Sequence, residues 1–201
     1  MPFELTPEEG TYLVRLARKS VEAGFEGGES DISDAPAVTR EPCGVFVTLS
    51  KMRGGEKDLR GCIGYPYPIK PLAEAVRDVA YAAAFEDPRF PPLDKSELSE
   101  VIVEVSVLTP PEAIEAKPSE VSIGKDGLIV KRGGRSGLLL PQVATEWGWD
   151  AEEFLCQGCA KAGLPQDAWC VPGTQVSTFQ AIIFTEESPS GAVKREELTS
   201  C

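Results

Sequence analysis

Residues 59–64 read Leu-Arg-Gly-Cys-Ile-Gly, a short run whose residue types could do chemistry. In an extended strand side chains alternate. Leu59, Gly61 and Ile63 then face one way and Arg60, Cys62 and Gly64 the other, with guanidinium and thiol on Cα atoms roughly 7 Å apart. The apolar face would anchor the strand to a core. A neighbouring cation favours thiolate over thiol, and Gly64 removes bulk where a ligand or a second backbone could approach. The same six residues have a plainer reading: Cys62 as a small buried residue, Arg60 paired with a carboxylate, and glycines that permit close packing.

The composition narrows the chemistry further. There is no histidine, so a Ser-His-Asp triad, a Cys-His dyad, His-ligated zinc and an imidazole base are all excluded. What remains is Cys, Asp, Glu, Lys, Arg, Tyr and backbone. The formal charge of −12 works against sequence-independent nucleic-acid binding, which needs clustered Lys and Arg to neutralise phosphates. The six cysteines, with neither a basic segment nor an apolar signal core in MPFELTPEEG, read as reduced thiols in a cytoplasmic chain. The apolar runs VIVEVSVL and GLLLPQVA are far shorter than the roughly 20 residues needed to cross a bilayer, so no membrane association is expected.

The elements that must position these residues follow from periodicity. Thr6-Pro7-Glu8-Glu9 is a capping-box pattern with proline at the first helical position, and Leu13, Leu16, Ala17 and Val21 continue it as a helix over residues 7–23. Residues 45–49 read as a buried strand, joined by the turn-rich residues 52–58 to the Cys62 strand as a hairpin. Residues 72–85 form an amphipathic helix, with Leu72, Val76, Val79 and Ala83 on one face. It gives way to Glu86-Asp87-Pro88-Arg89-Phe90-Pro91-Pro92, where proline forbids regular structure. Val101, Val103, Val105 and Val107 mark one face of a central strand, with Glu104 on the other.

Residues 127–131 and 137–140 flank Gly-rich RGGRS as a second hairpin, followed by two short helices, and a last strand over residues 175–185 returns to the main sheet. The expected organisation is α+β: a mainly antiparallel sheet flanked by helices in residues 1–120 plus 169–190, and a smaller α/β subdomain over residues 121–168. Residues 191–201 read as a flexible tail, with fraying from Glu186.

Further candidates surround the thiol. If the proline-rich loop folds toward the Cys62 strand, Arg60 and Arg89 form a fork for a carboxylate or phosphate. The bland account of Arg89 is a salt bridge with Glu86 or Asp87, whose charge is unfavourable at a helix C-terminus. Glu104 is a candidate base, and Lys51 a weaker candidate cation. Cys156 and Cys159 form a CxxC inside an apparent helix, where thiolate gains little, and no second pair exists for a zinc ribbon. Gly133-Gly134 and Gly54-Gly55 read as tight turns, since Walker spacing is absent. Trp147 and Trp149 supply apolar area at a corner of the smaller subdomain.

Taken with DPRFPPL, VSVLTPPE, GLIV and LLLPQVATEWGWD, the LRGCIG run closely resembles the AMMECR domain family over residues 43–169. The resemblance implies an α+β protein with a larger and a smaller subdomain and a cleft near the LRGCIG strand. It also implies, in many prokaryotes, association with Memo-type and radical S-adenosylmethionine proteins. Arg60, Cys62, Gly64, Asp87, Arg89, Phe90, Pro91 and Pro92 carry over residue by residue, but no reaction comes with them.

Two functional classes lead. In the first, the chain is a small-molecule enzyme or enzyme component with no cofactor. It binds an anionic ligand between the subdomains through Arg60, Arg89, Gly64, Phe90 and Lys51, with Cys62 as an arginine-activated nucleophile and Glu104 as its catalytic partner. In the second it is a non-catalytic adaptor for a Memo-type or radical S-adenosylmethionine protein. Nucleic-acid binding is a disfavoured third.

Overall fold

The structure is a computed structural model and describes residues 4–196. The chain enters as α1 (Pro7–Gly24), where the Thr6 hydroxyl accepts the Glu9 N–H at 3.2 Å and the Glu9 carboxylate accepts the Thr6 N–H at 2.8 Å. This reciprocal cap fixes the helix start, and Leu13, Val14, Leu16, Ala17 and Val21 turn into the core. β1 (Gly44–Arg53) and β2 (Glu56–Tyr65) form a hairpin longer than the sequence reading gave it. Its two turn residues, Gly54 and Gly55, lie at φ +62° and +93°, a region that disfavours side chains. Next come α2 (Leu72–Phe85), a short 3₁₀ turn at Lys95–Ser99, and β3 (Val101–Leu108), which buries its odd-numbered valines and pairs antiparallel with β1.

A second compact unit follows. β4 (Glu112–Ile114), β5 (Gly127–Arg132) and β6 (Arg135–Leu139) precede α3 (Pro141–Trp147), α4 (Ala151–Lys161) and β7 (Gln175–Phe179). The strands order as β4-β7-β5-β6 over a core that includes Leu128, Val130, Phe154, Leu155 and Val176. β5 and β6 meet at Gly133-Gly134, with Gly133 at φ +59°, so the Gly-rich run is a hairpin turn. The chain then returns to the first unit as β8 (Ala181–Glu186) and β9 (Val193–Glu196), completing a five-stranded sheet of order β2-β1-β3-β8-β9. The architecture is α+β, with two separate sheets.

Three expectations need correction. The single strand placed over residues 175–185 is two: it breaks at Gln180, with β7 in the smaller sheet and β8 in the larger. Residues 193–196 are not tail but strand, paired with β8 from Ile183↔Glu196 to Glu186↔Val193, while residues 197–201 of the expected tail lie outside the described residues. The units divide as 4–108 with 182–196 and as 109–181, rather than near residues 120 and 169.

The reason Glu186 does not fray is a buried ion pair. Its carboxylate accepts Arg18 Nε at 2.7 Å, Arg15 Nη1 at 3.2 Å and the Val103 backbone N–H at 3.0 Å, while Arg18 Nη2 also reaches the Val101 carbonyl at 2.7 Å. One carboxylate thereby ties α1 to β8 and β3.

Candidate functional site

The Cys62 strand is not the plain alternating strand its sequence suggests. Leu49 pairs with Gly61 but Ser50 pairs with Leu59, so Arg60 is an extra residue in β2 and the strand bulges there. The bulge resets the alternation. Leu59 pairs with Ser50, on the face opposite buried Leu49, and is 40% exposed, so it does not anchor the core as expected. Gly61 does face inward: a Cβ there would lie 2.1 Å from the Ala83 carbonyl oxygen, so glycine lets the backbone of α2 rest directly on β2. Gly64 answers to packing as well. A Cβ at Gly64 would fall 2.4 Å from the Phe46 ring, so the space expected to admit a ligand holds an aromatic side chain.

β2 is an edge strand, and at Cys62 its outward backbone groups are satisfied by side chains of the proline-rich loop. The Cys62 N–H donates to Asp87 Oδ2 at 2.8 Å, and the Cys62 carbonyl accepts Arg89 Nη2 at 3.1 Å. Asp87 and Arg89 are themselves paired, Nη2 to Oδ2 at 2.7 Å and Nε to Oδ1 at 3.0 Å. A carboxylate and a guanidinium thus imitate the acceptor and donor of a missing neighbouring strand. This outward bonding makes Cys62↔Thr48 a non-hydrogen-bonded antiparallel pair, the kind in which facing side chains come closest. The Thr48 hydroxyl donates to Cys62 Sγ at 3.3 Å.

The electrostatics overturn one expectation. Burial pushes the Cys62 thiol above its ordinary pKa; the Thr48 hydrogen bond and the Arg89 charge oppose the shift, while Glu104 and Asp87 add to it. Cys62 is therefore not an arginine-activated thiolate at rest, because desolvation outweighs the cation. The cation it feels is Arg89, since Arg60 is engaged elsewhere. Arg60 Nε and Nη2 each bond a Glu97 oxygen at 2.9 Å, and Lys51 Nζ shares that carboxylate at 2.9 Å besides reaching Glu100 at 2.7 Å. Arg60 first, then the Asp94 backbone N–H and Lys51, hold Glu97 down to about 2 against the opposing effect of burial. Pairing with Arg89 holds buried Asp87 still further below the usual carboxylate range.

Arg60 and Arg89 nevertheless converge, on Phe90. Their Cζ atoms lie 5.9 Å and 5.5 Å from the centroid of its ring. The fork expected from sequence is a pair of cations against one aromatic ring, each already holding a carboxylate. Arg89 keeps 54% of its side chain exposed, whereas Arg60 keeps 12%. A groove of about 300 Å³ beside Arg60 is lined by Lys51, Arg53, Phe90 and Glu97, but not by Cys62 or Arg89.

Glu104 stands in the same row as the thiol: Thr48 pairs with Cys62 on one side and with Glu104 on the other. Its carboxylate meets Lys57 Nζ at 3.1 Å, and the same ammonium reaches Thr185 Oγ1 at 3.2 Å and Glu196 at 3.1 Å. Sequence reasoning missed Thr48, Lys57 and Glu97. Thr48 was legible as the polar residue alternating with Val47 and Leu49, and Glu97 as the fourth residue of Asp94-Lys95-Ser96-Glu97, which forms a capping box. Lys57 carried no local signal, because its partners come from β3, β8 and β9.

In the smaller unit, Cys159 is fully buried and Cys156 accepts the Trp169 indole N–H at 3.4 Å, both within α4. Among the described residues no group of His, Cys, Asp and Glu is arranged to hold a metal ion. None of their helices is long and apolar enough to cross a membrane.

Fold and site together define an α+β protein whose bulged edge-strand cysteine is clamped by an Asp-Pro-Arg loop. The chain belongs to the AMMECR1 family, whose model matches residues 14–184. It is 53% identical over 203 residues to a protein of Thermococcus gammatolerans, covering 98% of this chain and 99% of that one. It is 52% identical to Protein MK0488 of Methanopyrus kandleri, covering 97% of each. The crystal structure of the uncharacterized protein PH0010 from Pyrococcus horikoshii superposes with a TM-score of 0.92 at 50% identity, over 98% of this chain and all of that one.

Proposed function

We propose that the chain is a small-molecule enzyme, or the ligand-handling component of one, and that it receives an anionic electrophile beside Cys62. The observation that carries this reading is the clamp. Cys62 has its N–H, its carbonyl and its sulfur each held by a different side chain, from Asp87, Arg89 and Thr48. The two backbone bonds also complete an edge strand, but together with the Thr48 bond to sulfur they fix the thiol as a nucleophile needs. In this reading the half-exposed Arg89 contacts the ligand's anionic group. Cys62 sulfur adds to the electrophilic carbon of a polarised double bond, whose π electron pair moves to the far atom; the thiol proton passes to Glu104, in the same cross-strand row, and from there to that atom.

The test compares iodoacetate with iodoacetamide as alkylating agents, with each cysteine of the native protein resolved by mass mapping. An anion contact beside Cys62 gives a higher iodoacetate-to-iodoacetamide rate ratio at Cys62 than at exposed Cys170. An equal or lower ratio at Cys62 rejects the reading.

A second reading, as adaptor for a Memo-type or radical S-adenosylmethionine protein, is favoured by the exposure of Met52 (50%) and Leu59 (40%) on the β1–β2 hairpin. It predicts that a Cys62→Ala protein still captures such a partner, while a Met52→Asp, Leu59→Asp protein does not.

A further inference from the structure

α1 ends at Gly24, and a turn with Gly27 at φ +68° brings the following loop against the outer side of α2. Between them is a half-open cavity of about 430 Å³, within the range of small-molecule sites. Its walls include Tyr65 of β2; Arg77, Asp78 and Tyr81 of α2; Glu86 just beyond that helix; and Glu29 of the loop. Tyr65 is three residues from Cys62 and so on the opposite face of β2. This cavity is separate from the thiol site.

The polar groups of the cavity are unevenly committed. Its one lining cation, Arg77, is doubly paired, with Asp78 at 3.4 Å and Glu29 at 3.3 Å, so it has little left for an anion. The Glu86 carboxylate and the Tyr65 and Tyr81 hydroxyls have no hydrogen-bond or ion-pair partner among the described residues. Of the three lining carboxylates, Glu29 pairs with Arg77 and Asp78 with Arg77 and Lys70, which leaves Glu86 without a cation, and the uncommitted groups can all accept hydrogen bonds. Two aromatic rings line the same space, and aromatic faces attract cations.

The wall already displays the matching chemistry. Lys70 Nζ stands 5.8 Å from the centroid of Tyr65 and pairs with Asp78. An ammonium on an alkyl stem, set between a tyrosine ring and a carboxylate that both line the cavity, is thus a geometry the chain already contains.

We infer that this cavity is a second binding site, specific for a primary alkylammonium group, with Glu86 as its anionic contact and Tyr65 and Tyr81 as its aromatic walls. The stem lies along the rings and the ammonium donates to Glu86 and to a phenol oxygen. The site stands independently of the Cys62 reading.

The test is a saturation-transfer NMR titration of the full chain with n-butylammonium, using n-butanol as the uncharged isostere. Salt at about 0.15 M screens diffuse attraction to the acidic surface. Saturable binding of n-butylammonium is expected, with no response to n-butanol. Binding should weaken about tenfold in Glu86→Gln, the loss of one charge-assisted hydrogen bond, and should weaken also in Tyr81→Ala. Both positions are exposed, so neither variant threatens folding. A Cys62→Ser protein should bind as the native one does. The inference is overturned by unsaturable binding, by equal binding of n-butanol, or by native-like affinity in both Glu86→Gln and Tyr81→Ala.

Discussion

At the scale of single residues, Cys62 is a thiol whose protonation is set by competition. Burial, Glu104 and Asp87 favour the neutral form, and Thr48 and Arg89 favour the thiolate. The signs give two expectations for the pH dependence of Cys62 alkylation. Thr48→Val removes a hydrogen bond to sulfur, so the apparent pKa rises and alkylation at pH 7.5 slows. Glu104→Gln removes a negative charge, so the apparent pKa falls and alkylation at the same pH quickens. Alkylation reads the local field, whereas a proton-accepting role for Glu104 would appear only as a loss in turnover. Opposite movement of the two variants is the expected outcome, and mass-resolved rates from pH 6 to 10 check it.

At the scale of elements, the Cys62 strand depends on two contacts that are not local to it. Gly61→Ala places a Cβ against the Ala83 carbonyl and forces α2 off the sheet. A loss of about 3 kcal/mol is expected in urea denaturation, at the upper end for overpacking because the obstructing atom is backbone. The second contact is the Asp87 clamp. Asp87→Asn weakens the Arg89 pair and the bond to the Cys62 N–H, a cost of about 2 kcal/mol given that Arg89 is half exposed. Asp87 and Glu97 both have pKa values depressed in the folded state. Their contribution is therefore complete above the unfolded carboxylate range near ~4 and is lost as pH falls through the folded values. The Asp87→Asn, Glu97→Gln protein should show a shallower decline of stability below about pH 4 than the native protein does, measured by urea melts at stepped pH.

At the scale of the whole molecule, the formal charge of −12 opposes polyanion binding, and the cations at the Cys62 site already hold carboxylates. No retention on heparin is expected at about 0.1 M salt. The larger unit is closed by distant parts of the chain: Arg18 near the start meets Glu186 near the end, with Glu186 fully buried between α1, β3 and β8. Glu186→Leu leaves the Arg18 guanidinium buried without its partner and should cost about 3 to 5 kcal/mol, read as an earlier urea midpoint.

The sequence by itself determined what is periodic or local. The capping box at Thr6, the face of α2, the odd-numbered valines of β3, the glycine turns and the α+β class all follow from neighbouring residue types. The absence of histidine and the resemblance that groups LRGCIG with Asp87 and Arg89 also directed attention to Cys62. Only the tertiary structure decided how that thiol is held. A bulge at Arg60 cannot be read from alternation, because it depends on which residue of β1 each residue of β2 faces. The partner of Arg60 is Glu97, 37 positions away, and that of Lys57 is Glu104, 47 positions away. The break at Gln180 divides one apolar run between two sheets, since hydrophobic spacing says that a strand is buried but not against what. The thiol's protonation follows the same rule: sequence supplies the neighbouring cation, but desolvation is a property of the packed fold.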